Sequence, residues 1–174
     1  MTTIGKSMQA AMNEQINKEF FSSYLYLSMA AYFEDKNLMG FAHWMRLQAD
    51  EEREHAMKFY NFLLDAGGRV YLKAIEAPAT DWKSNLEVAE QVAEHEAKVT
   101  ASIHDLYELA LKEKDYAAQV MLQWFITEQV EEEKNAAELV AKLRLIEERG
   151  TAVLMLDHRL SKRSGEGEGE EDEE

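Results

Sequence analysis

At 174 residues the chain suits one domain with a real core, and its 30% charged and 46% hydrophobic residues are ordinary for a globular protein. The absence of cysteine excludes disulfides, zinc–thiolate sites and thiol chemistry, and the net charge of −15 argues against nucleic acid as a partner, because phosphate binding needs basic patches. No window approaches about 18 uninterrupted apolar residues, and Met1–Lys6 has no basic stretch leading into an apolar run, so neither a membrane span nor a signal peptide is expected and the expected compartment is the cytoplasm.

One proline, eight glycines and abundant Ala, Leu, Glu, Lys and Gln favour helix nearly throughout. Apolar residues recur at helical spacing in four long segments. The first runs over Lys6–Asp35, with Met8, Met12, Ile16, Tyr26, Ala30 and Phe33 on one stripe. Asn37 is the expected cap of the second, Leu38–Ala66, which stops at Gly67-Gly68. Ser84 and Glu87 have the form of a capping box and open a third helix reaching about Lys114. Asp115 caps a fourth, expected to continue to Gly150, and Ala152–Lys162 reads as a short fifth.

Short links make the first and second helices, and the third and fourth, antiparallel neighbours. Between Gly68 and Lys83 lies a helix-poor stretch holding the lone proline, Pro78. A helix of ~28 residues is ~42 Å long, and about 16 extended residues cover ~50 Å. That stretch can therefore return along the whole bundle and set the second and third helices parallel. The expected fold is all-α: a four-helix bundle with one long crossover and a short fifth helix, occupying residues 1–163. The remainder, 164–174, carries seven acids and no base, and is expected to be a disordered acidic tail.

The apolar stripes are interrupted by acids. Glu19 is in phase with Met12, Ile16, Tyr26 and Ala30, and Glu52 and His55 are in phase with Phe41, Met45, Phe59 and Phe62. Glu96 falls between Ala89, Ala93, Val99 and Ile103, while Glu128, Glu131 and Glu132 line up with Met121, Trp124 and Leu139. A lone Glu in such a stripe is usually a boundary residue. Here all four helices bring acids to their midpoints, at one height, with no Lys or Arg in the same stripes to pair with them. Uncompensated buried carboxylates cost several kcal/mol each, and a bound cation is the simplest compensation. Glu52 and His55 form Glu-x-x-His, which sets both side chains on one helix face. Carboxylates with one imidazole and no sulfur suit iron or manganese, and several bridging-capable carboxylates suggest two ions. His43, His95, His104 and His158 read as surface or satisfied histidines, and Trp124 and Met45 first of all as core.

Glu19, Tyr26, the run Ala49-Asp50-Glu51-Glu52-Arg53-Glu54-His55, Glu96 and Glu128-Gln129-Val130-Glu131-Glu132 together resemble prokaryotic non-haem ferritins over about residues 4–162. The resemblance implies iron storage and ferroxidase activity, with Fe(II) and O2 or H2O2 as substrates. It implies a first iron site of Glu19, Glu52 and His55. Glu52 would bridge to a second iron held by Glu96 and Glu132, with Gln129 nearby. Glu51, Glu128, Glu131 and Glu132 resemble a third iron site, and Tyr26 stands where the ferroxidase tyrosine does. A homo-oligomeric cage of about 24 subunits enclosing a mineral is likewise implied by the family. Haem-binding bacterioferritins are similar, but carry a methionine where Arg53 stands and a second Glu-x-x-His on the fourth helix. Here that spacing holds Glu128 and Glu131, so no haem is expected. Two alternatives differ in class: a di-iron oxidase or peroxidase that forms no cage, and a purely structural bundle. The acidic layer without bases speaks against the second.

Overall fold

The computed structural model describes residues 4–147 and 149–164. Among them the chain forms α1 (Lys6–Asp35), α2 (Met39–Asp65), α3 (Asn85–Glu113), α4 (Tyr116–Ile146) and α5 (Gly150–Leu160), with no strand. The expected all-α bundle with a fifth helix is what the chain adopts. None of these helices is long and apolar enough to cross a membrane. Beyond Ser164 the acidic run lies outside the described residues.

The helix ends follow local chemistry, with two departures from expectation. Ser84 caps α3 by accepting from Glu87 N, while the Glu87 carboxylate accepts from the Lys83 N–H rather than from Ser84. Asp115 caps α4 through Ala118 N at 3.0 Å. Asn37 does not cap α2. It sits at φ 58°, in the left-handed conformation that Asn tolerates, and closes the end of α1 as Leu38 N donates to Phe33 O. Gly67, at φ 72°, plays the same part after α2, where Gly68 N donates to Leu63 O. The second departure is at α4, which stops at Ile146 with left-handed Glu147 instead of running to Gly150; Gly150 begins α5.

The N-terminus of α2 finds its cap far along the chain. Asp157 on α5 accepts from Phe41 N at 2.9 Å. The approach is so close that a Cβ on Gly40 would lie 1.7 Å from Asp157 O, so only glycine fits there.

The crossover ascends alongside α1. Asn13 donates to Arg69 O and accepts from Tyr71 N, Ser28 donates to Ala79 O, and Tyr32 donates to Trp82 O. Residues 69, 71, 79 and 82 thus climb past positions 13, 28 and 32, which delivers α3 to the end where α2 begins and makes α2 and α3 parallel. α1 packs on α2, α3 on α4, and α1 on α3, while α5 rests on α2 and α4.

The buried apolar side chains form two clusters rather than one. At one end Leu25, Met29, Phe33, Phe41, Trp44, Val92, Leu139 and their neighbours pack together, with Val153 and Leu156 of α5. At the other end Met8, Met12, Ile16, Phe59, Leu63, Val99, Ile103, Leu122 and Phe125 do so. Between the clusters every long helix buries polar residues: Glu19 and Ser22 on α1, Glu52 and His55 beside Ala56 on α2, Glu96 on α3, and Glu128, Gln129 and Glu132 on α4.

Candidate metal centre

That gap is filled by Glu19 from α1, Glu52 and His55 from α2, Glu96 from α3, and Glu128, Gln129 and Glu132 from α4, all buried. Glu19 and Glu96 have no exposed surface at all. The i,i+3 spacing of Glu52 and His55 turns both toward the bundle axis, with His55 Nδ1 3.4 Å from Glu52 Oε2. Glu19, Glu52 and His55 each offer a ligand atom, and the three atoms lie within 4.8 Å of one another. Three of the residues expected from sequence to share one site are therefore brought together, from two helices. Glu96 and Glu132 belong to the same layer, close enough for their charges to act on Glu52.

Glu19 is held through one carboxylate oxygen and Glu96 through both. Gln15 Nε2 donates to Glu19 Oε1 at 2.7 Å. The Tyr26 hydroxyl donates to Glu96 Oε1 at 2.5 Å, and Gln129 Nε2 donates to Glu96 Oε2 at 3.2 Å and to Thr100 Oγ1 at 3.2 Å. Glu19 Oε2 and Glu52 Oε2, in contrast, are buried without a hydrogen-bond donor among the described residues. The two carboxyl groups can share a proton with each other, but once ionised neither Oε2 has a hydrogen-bond donor among the described residues, and only His55 Nδ1, 3.4 Å from Glu52 Oε2, stands near. Two orphaned carboxylate oxygens beside a neutral imidazole suit a divalent cation.

The electrostatics agree. Burial, offset in part by hydrogen bonding to Glu52 and Gln15, pushes Glu19 up to about 7. Burial and the charges of Glu96, Glu51 and Glu128 push Glu132 up to about 8. Glu52 is raised well above the usual carboxylate range by burial, then by Glu96 and Glu19. Glu96 is raised by burial against the hydrogen bonds from Tyr26 and Gln129. His55 is pushed down to about 4 by burial and by Lys58, so its imidazole is neutral and ready to ligate at neutral pH. A cluster of acids that resists ionising when alone is one that a cation relieves.

The remaining sequence candidates divide. Glu128 is buried, Glu51 is half-buried and takes a hydrogen bond from Gln48 Nε2, and Glu131 is exposed. Trp124, read from sequence as core, is instead 37% exposed. It stands at the rim of the site with its ring 5.3 Å from His55 in an edge arrangement and Lys58 Nζ 4.0 Å over its face. His95 is a satisfied histidine: Nε2 lies 2.7 Å from Ser22 Oγ, and Phe21 and Tyr26 flank the ring. It lines a cavity of about 810 Å³ under the crossover, apart from the point where the acids converge. Sequence reasoning passed over Gln15. The available signal was a glutamine on the same α1 stripe, four residues before Glu19 and next to Ile16.

Residues 9–146 match the family model described as a ferritin-like domain. The chain is 41% identical to a bacterial non-heme ferritin from Bacteroides fragilis, over 92% of its own length and 99% of that protein. With a bacterial non-heme ferritin from Staphylococcus haemolyticus it shares 37% identity over 92% and 97%. Among solved structures it is similar to an open-pore ferritin from the hyperthermophilic archaeon Archaeoglobus fulgidus, with 51% identity, a TM-score of 0.93 and coverage of 94% and 100%. A closed form of the A. fulgidus ferritin made by site-directed mutagenesis matches with a TM-score of 0.92. With the family model spanning most of its length and relatives this similar along nearly all of it, the chain belongs to the ferritin family.

Proposed function

We propose that the protein oxidises Fe(II) at the buried acidic layer and stores the product as ferric oxyhydroxide within a homo-oligomeric cage. The observation that carries this reading is the Glu19–Glu52–His55 group, buried, with two carboxylate oxygens that lack a hydrogen-bond donor among the described residues. The net charge of −15 draws Fe(II) toward the protein. One Fe(II) binds to Glu19, Glu52 and His55, and a second to Glu96 and Glu132, with Glu52 serving both. Each iron gives up one electron, and the pair of electrons reduces one O2 to peroxide or one H2O2 to water.

The chain's own residues prepare this step. His55 ligates without losing a proton, because burial keeps it neutral. The carboxyl groups release theirs as the ions arrive. Tyr26 and Gln129 hold Glu96 from both oxygens, and the Tyr26 hydroxyl touches a ligand directly, near enough to supply an electron. Ligation by oxygen and a single imidazole, with no sulfur, lets Fe(III) move on rather than stay as a permanent cofactor. Glu51, Glu128, Glu131 and Glu132 would provide a third, more open position on the way.

The test is size-exclusion chromatography with in-line iron detection after excess Fe(II) is added in air. Iron far beyond three per chain, co-eluting at roughly 24 times the chain mass, is expected of a mineral-storing cage. About two irons per chain at dimer size would identify a cage-less di-iron oxidase instead. In rapid-mixing oxidation assays Glu52→Ala should lose at least ~10-fold in rate, because one residue serves both irons. Wild-type rates would refute the bridging role.

A further inference from the structure

Gln15 is almost fully buried in the wall of the site, yet it is a neutral amide and no natural iron ligand. Its two ends are both engaged. Nε2 donates to Glu19 Oε1 at 2.7 Å, and Oε1 accepts from the hydroxyl of Ser102 on α3 at 3.0 Å. Ser102 is itself buried, and its hydroxyl also lies 2.9 Å from Val99 O, one turn back on its own helix. The chain of contacts therefore runs from the α3 backbone, through Ser102 and Gln15, to one specific oxygen of Glu19.

The direction of that chain matters. An ionised carboxylate only accepts, so Glu19 requires the NH2 end of the amide. The two ends of Gln15 differ little in size, and packing alone would let the amide turn over. Turned over, it would set its carbonyl oxygen against Glu19 Oε1, acceptor against acceptor. Ser102 has one hydroxyl hydrogen, within reach of both Val99 O and Gln15 Oε1; given to Gln15 Oε1, it fixes the NH2 end on Glu19. With Oε1 thus engaged, the carboxylate plane is set and Oε2 is the oxygen left without a donor among the described residues, in a side chain that shares the group with Glu52 and His55. Gln15 occurs one turn before Glu19, so α1 carries the ligand and its anchor, while α3 carries the residue that orients the anchor.

We infer that Gln15 and Ser102 form a positioning pair that presents Glu19 to the first metal ion through Oε2 alone. The inference deepens the proposed function and rests on Glu19 being a ligand. Partners behind a ligand typically control 10–100-fold of metal affinity, and this pair predicts how that control is divided. Gln15 contacts Glu19 directly, whereas Ser102 acts only through Gln15.

The experiment uses the full-length protein, stripped of metal, with Co(II) as a redox-inert probe followed by its visible absorption. Gln15→Leu is expected to weaken the first Co(II) site about 10-fold or more and to change the shape of the absorption band, because Glu19 becomes free to bind through either oxygen. Ser102→Ala should weaken it by a smaller factor, and Ser102→Thr, which keeps the hydroxyl, should restore wild-type binding. In the Gln15→Leu background Ser102→Ala should have no further effect. A simple packing role would instead leave the Co(II) spectrum unchanged and make the two substitutions additive in unfolding temperature only. Co(II) affinity within twofold of wild type in Gln15→Leu, or a Ser102→Ala effect that persists in that background, overturns the inference. Glu19→Gln separates the two levels. If it leaves the first Co(II) site intact, Glu19 is no ligand and the functional reading of this residue fails. If it abolishes that site while Gln15→Leu leaves the affinity within twofold of wild type, only the positioning role falls.

Discussion

Glu19→Gln should make the metal-free protein more stable while removing its first metal site, and the gain should grow with pH. Glu19 is completely buried and its carboxyl is raised from 4.5 to about 7, with burial as the main cause. Each unit corresponds to ~1.4 kcal/mol. For a carboxyl raised by folding the sign is destabilising. The penalty is absent below pH ~4.5, where folded and unfolded chains both hold the proton. It grows as the unfolded chain ionises, and it levels off once the pH passes about 7 and the folded site ionises too. From these values the penalty is about 1 kcal/mol at pH 5 and about 3 kcal/mol at pH 8. Glutamine keeps the side-chain shape and an oxygen for the Gln15 donor. It places an NH2 where Glu19 Oε2 had no partner, facing Glu52. For a chain of this size ~1 kcal/mol moves the unfolding temperature by about 2–4 °C, so the expected gain is roughly 6–12 °C at pH 8 and about 2–4 °C at pH 5. Thermal unfolding of chelator-treated protein, followed by circular dichroism at both pH values, measures it. Added Co(II) should raise the midpoint of the wild type and leave that of the variant where it was. A variant less stable than wild type at both pH values, or one with a gain independent of pH, would refute the claim that the site is assembled at the expense of stability.

Other consequences follow from the same contacts. With Glu19 near 7 and Glu132 near 8, these two groups alone hold about two protons at pH 6.5 that cations must displace, beside any on the raised Glu52 and Glu96, so anaerobic Fe(II) calorimetry in buffers of different ionisation enthalpy should report their release. Apparent affinity should fall by as much as ~100-fold per pH unit below that point, and release of less than half a proton would contradict the raised carboxyl groups. Gly40→Ala would put a Cβ into the Asp157 carbonyl and should cost ~3 kcal/mol or detach α5, seen as a lower unfolding temperature and new proteolysis between α4 and α5. Asp157→Ala removes the side-chain cap from Phe41 N and should cost about 1 kcal/mol, leaving the rate of Fe(II) oxidation as in wild type.

What could be read from the sequence, and what could not, divides along physical lines. The helices were legible from periodicity within each segment, the long crossover from the length of the link between Gly68 and Lys83, and the acidic layer from acids at matching heights in four stripes. Glu19, Glu52, Glu96 and Glu132 interrupt apolar stripes at matching heights, and the folded chain places all four in the buried layer between its two clusters. Local turn chemistry was legible at Ser84 and Asp115 but misled at Asn37, because one polar residue between two helices can serve either end. The side chain there ends α1 by accepting a left-handed conformation, and α2 takes its cap from Asp157, 116 residues away. No local pattern announces such a partner. Trp124, read first of all as core, and Glu131, read on the inner stripe, are both exposed for a related reason. Residues at the edge of a stripe point inward or outward by a few tens of degrees, and the neighbouring helix decides which.

The division of the core into two clusters shows why the acids can be tolerated at all. A four-helix bundle packed only for stability would carry apolar residues through its middle, as it does at Met12 and Phe59 on one side and at Met29 and Phe41 on the other. Placing Glu19, Glu52, Glu96 and Glu132 between them sacrifices burial at one layer and leaves apolar packing above and below to hold the helices in register. That register brings the carboxylate and imidazole groups of Glu19, Glu52 and His55, from α1 and α2, to within 4.8 Å of one another. The two clusters are therefore part of the site, because without them the acids would move apart to reach water and the pre-formed geometry would be lost.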